Sequence, residues 1–300
     1  MSTRIATVFG ATGLQGSSVV RALIKDGTFK PRAVTRDANS DTARALADLG
    51  CEVVGADLGD KEGVKKAVTG AECVFLVTIP RGDVPEFVQG TNVFDASKEA
   101  GVRFVVFSTL PNVTEISNGK YTTAVHGDDK AKAQKYLEAS GLANASIGTG
   151  AFFENVLGPF LGGSFDKTGD GYTLQVVVPP STTSVHTWIS RDMGPAVVAL
   201  FTQYTSRAAE INGQTFVLGS ARVSFTEFAA ELSKGLGKPV KAESAGPSGF
   251  LPVDEMFASL PDWYPEVTVP DPRLAKLGVK TGTIEEFART TLKSFLATKP

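Results

Sequence analysis

The sequence predicts an α/β fold: a doubly wound parallel sheet with a smaller C-terminal α/β lobe. Three observations carry that prediction. Short apolar runs, partly β-branched, recur through the first half of the chain. Amphipathic stretches of helical length separate most of them. Several of those stretches end in glycine just before the next run. Strand–helix–strand crossovers of this kind build parallel pairs covered by helices on both faces.

The apolar runs occupy residues 5–9, 33–35, 53–54, 73–77, 104–107 and 145–147. Gly27, Gly50, Gly70, Gly101 and Gly141 mark helix stops, because glycine takes the left-handed conformation past a helix end without steric cost. The rhythm then lapses. Residues 158–171 are glycine-rich and read as a loop. Residues 172–178 and 184–190 read as strands flanking Pro179 and Pro180, 192–204 as a helix and 215–218 as another strand. Residues 226–236 read as a helix and 240–243 as a short strand. The proline-punctuated stretch 244–272 carries Phe250, Phe257, Trp263 and Tyr264; it reads as a packed irregular segment or as a pocket wall. Thr283 and Glu286 have capping-box spacing at the start of the last helix.

Composition narrows the partners. The 300 residues suffice for one large domain with an added lobe, and 42% hydrophobic with 21% charged residues is ordinary for a globular protein. A formal net charge of -2 without a long basic run gives no footprint for direct nucleic-acid binding. The apolar runs are far too short for a membrane span, so a cytoplasmic protein is expected, with the nucleus also open. Cys51 and Cys73 each open an apolar stretch and read as packing residues.

Gly10, Gly13 and Gly16 follow the first strand and open the first helix. In that context a G-x-x-G-x-x-G turn is a dinucleotide-binding (Rossmann) signature. The first glycine permits the turn, the second lets backbone approach a pyrophosphate, and the third lets helix and strand pack closely. The helix N-terminus then offers amides and positive dipole to the phosphates. An acid about 20 residues past the glycines would accept the ribose 2′-hydroxyl of NAD; Arg36 stands there instead, with Asp37 beside it. Guanidinium suits a 2′-phosphate, so the expected cofactor is NADP(H).

Together these residues resemble the NmrA-like family of atypical short-chain dehydrogenase/reductases. The resemblance rests on Val8-Phe9-Gly10-Ala11-Thr12-Gly13-Leu14-Gln15-Gly16, Val34-Thr35-Arg36, Gly55-Ala56-Asp57, Val77-Thr78, His126-Gly127-Asp128-Asp129-Lys130 and Phe152-Phe153-Glu154-Asn155, over roughly the first 160 residues. It continues more weakly through Ser190 to Pro195 and Gln214 to Gly219. The resemblance implies that Asp57 and Leu58 flank the adenine, that Thr78, Ile79 and Pro80 line the cofactor, and that Lys130 contacts the nicotinamide ribose. It places Phe152, Phe153, Glu154 and Asn155 near the nicotinamide. One departure is visible: Val88 and Gln89 stand where some relatives carry a basic residue.

Ordinary short-chain reductases place Tyr-x-x-x-Lys on one helical face, with a serine on the preceding strand. Here Ser108 and Lys130 are present and His126 takes the tyrosine position. Histidine has a reference pKa of about 6.5 against about 10 for tyrosine, so it can serve as general acid or base. His126 therefore reads either as proton donor or as a structural, cofactor-positioning residue. His186 lies on an alternating strand and reads as a packed histidine. No His/Cys cluster has metal-ligand spacing and no G-x-S-x-G elbow is present.

The nucleotide domain is expected over residues 1–155 with 184–219, and a substrate- or partner-binding lobe over 156–183 with 220–300. Two functions remain open. One is an NADPH-dependent reductase of a small carbonyl, quinone or imine-like compound; the other is a non-catalytic NADP(H) sensor acting through a regulatory protein partner. Ser108 and Lys130 favour the first, and the missing tyrosine favours the second.

Overall fold

The computed structural model describes residues 3–80, 83–158 and 162–298. The first half alternates strands β1 (Ile5–Phe9), β2 (Lys30–Thr35), β3 (Glu52–Gly55), β4 (Cys73–Leu76), β5 (Phe104–Thr109) and β6 (Asn144–Thr149) with helices. These are α1 (Leu14–Asp26), α2 (Asp41–Asp48), α3 (Lys61–Val68), α4 (Glu86–Glu99), the short α5 (Val113–Ile116) and α6 (Val125–Ala139). There follow β7 (Ala151–Phe152), a 3₁₀ turn (Phe153–Leu157), β8 (Gly163–Thr168), β9 (Gly171–Val176), β10 (Thr183–Thr187), α7 (Ile189–Gln203), α8 (Ala208–Ile211) and β11 (Gln214–Leu218). The remainder holds β12 (Ala221–Ser224), α9 (Phe225–Leu236), β13 (Val240–Ser244), α10 (Leu251–Ala258), α11 (Pro272–Lys276), α12 (Ile284–Phe287) and α13 (Lys293–Thr298).

Among the described residues, seven strands form a parallel sheet in the order β11-β6-β5-β4-β1-β2-β3. Successive side chains point to opposite faces, so β4 sends Cys73 and Phe75 into one core and Val74 and Leu76 into the other. On one face lie α1 and α7, through Val19, Val20, Leu23, Met193 and Val197; on the other lie α3, α4 and α6, through Val64, Phe94, Ala133 and Leu137. The chain runs outward from β1 to β3 and then crosses back to β4. The strand order therefore reverses between β1 and β4, where open α/β sheets leave a crevice at the carboxyl ends.

The smaller lobe contains the three-stranded sheets β12-β10-β7 and β13-β9-β8. Its core gathers Phe153, Trp188, Phe225, Phe228, Phe257, Trp263 and Phe287. The glycine-rich stretch expected as loop is largely a hairpin, β8 pairing antiparallel with β9, while residues 159–161 lie outside the described residues. Two of its glycines serve close packing. A Cβ on Gly171 would stand 2.2 Å from the Pro239 carbonyl oxygen, and one on Gly162 would stand 1.9 Å from the Phe257 ring. The strand expected over 184–190 stops at Thr187 and joins the small sheet beside β7 and β12. Helix α7 begins early because the Glu154 carboxylate accepts from the amides of Ile189 (3.2 Å) and Ser190 (2.7 Å) at its N-terminus.

At the last helix only half of the expected capping box forms among the described residues. Thr283 accepts from the Glu286 amide at 3.0 Å, whereas the Glu286 carboxylate turns toward Arg191 at 3.7 Å. A reciprocal box stands at α9 instead, where Glu227 N donates to Ser224 Oγ (3.2 Å) and Ser224 N to Glu227 Oε2 (2.8 Å). Cys51 and Cys73 are free and buried. Among the described residues no helix is long and apolar enough to cross a membrane.

His186 packs as expected, stacked on Phe228 at 4.5 Å between ring centroids and bonded through Nε2 to Ser184 Oγ at 2.9 Å. Burial lowers its pKa to about 4, so the folded protein holds it neutral. Between about pH 6.5 and 4 the unfolded chain binds a proton that the folded one refuses, and stability falls as pH falls. That effect is on the order of 3 kcal/mol at full extent. Urea denaturation of the parent should show the decline between pH 6.5 and 4.5. His186→Gln should be flatter there; equal slopes for both would refute the assignment.

Candidate active site at the strand ends

The carboxyl ends of β4, β5 and β6 open into a cleft of about 770 Å³. Gln15 from α1, Thr78 and Pro80 after β4, Ser108 from β5, His126 and Lys130 from α6, and Phe152 and Asn155 after β6 all reach it. The opposite wall is apolar and comes from the lobe: Pro252, Val253, Met256 and Phe257 of α10, with Trp263 behind. The stretch 244–272 is thus both a packed segment and a pocket wall.

The glycine loop is shaped as its spacing requires. Gly10 has φ +67°, and a Cβ there would meet Val77 at 2.8 Å. A Cβ on Gly16 would lie 2.2 Å from the Gly10 carbonyl oxygen, so both glycines are demanded by the fold. Gly13 is different. It caps α1 with φ -84°, and its Cβ would meet only the Gly10 carbonyl, at 3.3 Å. Ala11 N donates to Val34 O at 3.1 Å, tying the turn to β2. Beside it Thr12 and Thr35 share a hydroxyl contact of 3.4 Å, and Leu14 opens the helix half-exposed.

Arg36 is exposed just past β2. Asp37, the acid beside it, spends its carboxylate on its own turn by accepting from Asn39 N at 2.8 Å. Asp57 likewise accepts from Gly59 N at 2.7 Å, and Leu58 is buried with its carbonyl held by Asn92 at 2.9 Å. Gln89 is buried and clasps Ile79: its Oε1 accepts from Ile79 N (2.8 Å) and its Nε2 donates to Ile79 O (2.9 Å) and to Val84 O (2.8 Å). The departure seen at this position is therefore a loop clasp.

The Phe152–Asn155 run divides, because the chain passes there from β7 into the 3₁₀ turn. Phe152 and Asn155 line the cleft. Phe153 is wholly buried in the lobe core against Phe228 and Phe287, and Glu154 caps α7. Ser108 donates to Gln15 Oε1 at 2.6 Å, linking β5 to the glycine loop.

The centre of the cleft holds a group that sequence reading missed, Glu86 at the start of α4. Its Oε2 accepts from Lys130 Nζ (2.9 Å) and from the Thr78 hydroxyl (2.5 Å), and its Oε1 meets His126 Nδ1. Lys130 also donates to Thr78 Oγ1 (2.6 Å) and Thr78 O (3.3 Å), so all three ammonium protons have acceptors. The grouping depends on close approach of α4 and α6: a Cβ on Gly90 would lie 2.9 Å from that of Ala133. Burial alone would raise the Glu86 pKa; the His126 hydrogen bond and the Lys130 charge outweigh it and hold it at about 2. Burial lowers the Lys130 pKa, against the opposing pull of Glu86. Tyr121, near in sequence, packs against the lobe core.

A doubly wound sheet with a glycine turn, a buried cation–carboxylate pair and an apolar lobe at the strand ends defines an α/β protein of the dinucleotide-binding type. Residues 2–287 match the NmrA-like family, and the chain belongs to it. An NmrA-like family domain-containing protein of Dictyostelium discoideum is 28% identical over 247 residues, covering 80% of each chain. An NmrA-like family domain-containing oxidoreductase of Aspergillus flavus is 33% identical over 215 residues, covering 66% of this chain and 64% of its own. The crystal structure of NmrA, a negative transcriptional regulator, in complex with NAD superposes with TM-score 0.85 at 19% identity, over 100% of this chain and 99% of that one. NmrA has also been crystallised with NADP; that structure gives TM-score 0.84.

Removing one partner of a buried ion pair leaves an uncompensated charge. Glu86→Ala should therefore cost about 3–5 kcal/mol in chemical denaturation at pH 7. Glu86→Leu combined with Lys130→Met should cost far less, because hydrophobic replacement of both partners is often near neutral. A double variant as unstable as Glu86→Ala would contradict the pairing.

Proposed function

We propose that the chain is an NADP(H)-dependent reductase of a small carbonyl, quinone or imine-like compound. The observation that carries this reading is the grouping of Glu86, His126 and Lys130 on the floor of an apolar cleft at the strand ends. The chain's own residues fit the cofactor. Gly13 is the one glycine of the turn that the surrounding backbone barely requires, which leaves its open face for a pyrophosphate. Ala11, Thr12, Leu14, Gln15 and the α1 N-terminus would hold the phosphates through backbone amides and dipole. Arg36, exposed and beside Thr12 and Thr35, would take the 2′-phosphate, with Asp57 and Leu58 toward the adenine. Thr78, Ile79, Pro80, Phe152 and Asn155 would border the nicotinamide end, and Lys130 would give one of its three bonds to the ribose. Bound there, the reduced cofactor supplies hydride.

The protein's part is positioning and proton supply. Met256, Phe257 and Phe152 exclude water and hold an apolar substrate; Ser108, released from Gln15, orients its heteroatom; His126 lies within the same cleft as acid. The nucleotide would bind over residues 1–155 with 184–219, and the substrate against residues 156–183 with 220–300. The buried free thiols Cys51 and Cys73 suit a reducing, cytoplasmic setting. A regulatory reading draws on one feature: the Lys130 protons are fully engaged, so a cofactor-driven rearrangement there would be felt in α4.

NADPH oxidation across a panel of quinones, aldehydes and imines tests the proposal. Turnover of at least one compound is expected, with NADPH preferred over NADH. Arg36→Ala should erase about 10- to 150-fold of that preference, the value of a charge-assisted hydrogen bond of roughly 1.5–3 kcal/mol. No oxidation across the panel, together with cofactor-dependent hydrogen-exchange protection in residues 220–300, would favour the regulator.

A further inference from the structure

We propose that Glu86 is the positioning residue for His126, and that the pair works as a carboxylate–imidazole acid whose Nε2 proton goes to the substrate heteroatom. The inference rests on the reductase reading above. It follows first from counting donors and acceptors. An ionised carboxylate only accepts, so the His126 Nδ1 that meets Glu86 Oε1 must carry a proton. Glu86 Oε2 is already filled by Thr78 and Lys130, which leaves Oε1 for the imidazole alone. The Nδ1–H tautomer is therefore fixed by a group that is itself held from two other sides. Nε2 is the remaining ring nitrogen; among the described residues no hydrogen bond engages it, and the ring lines the cleft with 33% of its side chain exposed.

The helical spacing explains why both partners reach one carboxylate. His126 and Lys130 stand one turn apart on α6, and Glu86 opens the neighbouring α4. In ordinary short-chain reductases the His126 position belongs to a tyrosine, whose proton is made available by a nearby lysine. Here the lysine charge is matched by Glu86, and that same carboxylate stabilises the imidazolium. The other charged groups around the ring are Lys130 and Asp129 on α6 and Asp83 ahead of α4, both aspartates lining the cleft. Glu255 of α10 is engaged by Thr123 N and Oγ1 at 2.6 and 2.7 Å.

The step balances. As the substrate carbon takes hydride from the reduced nicotinamide, the electron pair of its C=O or C=N bond takes the proton from Nε2. His126 is left neutral with Nδ1–H still on Glu86, and Nε2 is reprotonated by water through the open cleft. Reduction thus needs a proton on Nε2 while Nδ1–H stays on Glu86.

The chain has two histidines, which makes the test direct. Ring ¹⁵N NMR of the cofactor-free protein can follow both, with His186→Gln assigning the pair. The neutral His126 ring of the parent should carry its proton on Nδ1, and Glu86→Gln, whose amide donates as well as accepts, should loosen that preference and leave His186 in place. With NADPH and a turned-over panel compound, His126→Ala should lower kcat by about 10²- to 10⁴-fold, and Glu86→Gln should lower kcat more than it raises KM. A neutral parent ring protonated at Nε2 overturns the pair. Turnover unchanged in His126→Ala overturns His126 as donor. A ring protonated at Nδ1 with no turnover of any compound overturns the reductase reading and leaves the pair as structure. If Glu86→Gln fails to fold, the ¹⁵N shifts of the parent and the kinetics of His126→Ala decide.

Discussion

A lysine ammonium buried beneath a parallel sheet needs a carboxylate within hydrogen-bond reach, and the centre of this molecule is arranged around that requirement. Lys130 and Glu86 are each nearly inaccessible to water and meet at 2.9 Å. An unpaired charge in that position would cost several kcal/mol, so the two helices that carry them cannot drift apart independently. Gly90 against Ala133 sets how close they lie. Thr78 completes the set, accepting from the lysine and donating to the glutamate, and so fixes the chain as it leaves β4. Pairing, helix approach and the exit path of a central strand are one constraint seen from three elements.

The cleft inherits its character from this arrangement. The strand order reverses between β1 and β4, which opens space above the pair, and the lobe closes that space with α10. A polar floor then faces an apolar wall. The lobe core is anchored to the sheet by the same short run that borders the cleft: Phe153 enters the lobe, Glu154 caps α7, and Phe152 and Asn155 face inward. Displacing that turn would disturb the lobe core, the α7 N-terminus and the cleft together.

Much of this was legible in the sequence wherever one local pattern decides one local structure. The spacing of Gly10, Gly13 and Gly16 after a strand gave the turn, and glycine stops such as Gly27 and Gly101 adopt the expected positive φ. His126 and Lys130 were found by their four-residue spacing. Glu86 was not, because its partners lie 40 and 44 positions away and nothing local marks it; the available signal was an acid opening the helix after β4, four residues before the small Gly90. The stretch 158–171 misled for the opposite reason. Two of its glycines mark close approach, Gly171 to Pro239 and Gly162 to Phe257, contacts that only the folded lobe creates. The Phe152–Asn155 run reads as one motif, yet a change from strand to 3₁₀ turn sends its side chains to three destinations.

A crystal structure of the protein with NADPH tests directly whether the cleft over Glu86, His126 and Lys130 receives the nicotinamide end with room left for a substrate. The pyrophosphate is expected against Gly13 and the α1 N-terminus, the 2′-phosphate on Arg36, and the nicotinamide ring bordered by Thr78, Phe152 and Asn155. Its C4 should face the space between His126 and Met256. A nicotinamide lying outside this cleft, or one whose C4 is covered by the lobe with no space beside His126, would contradict it.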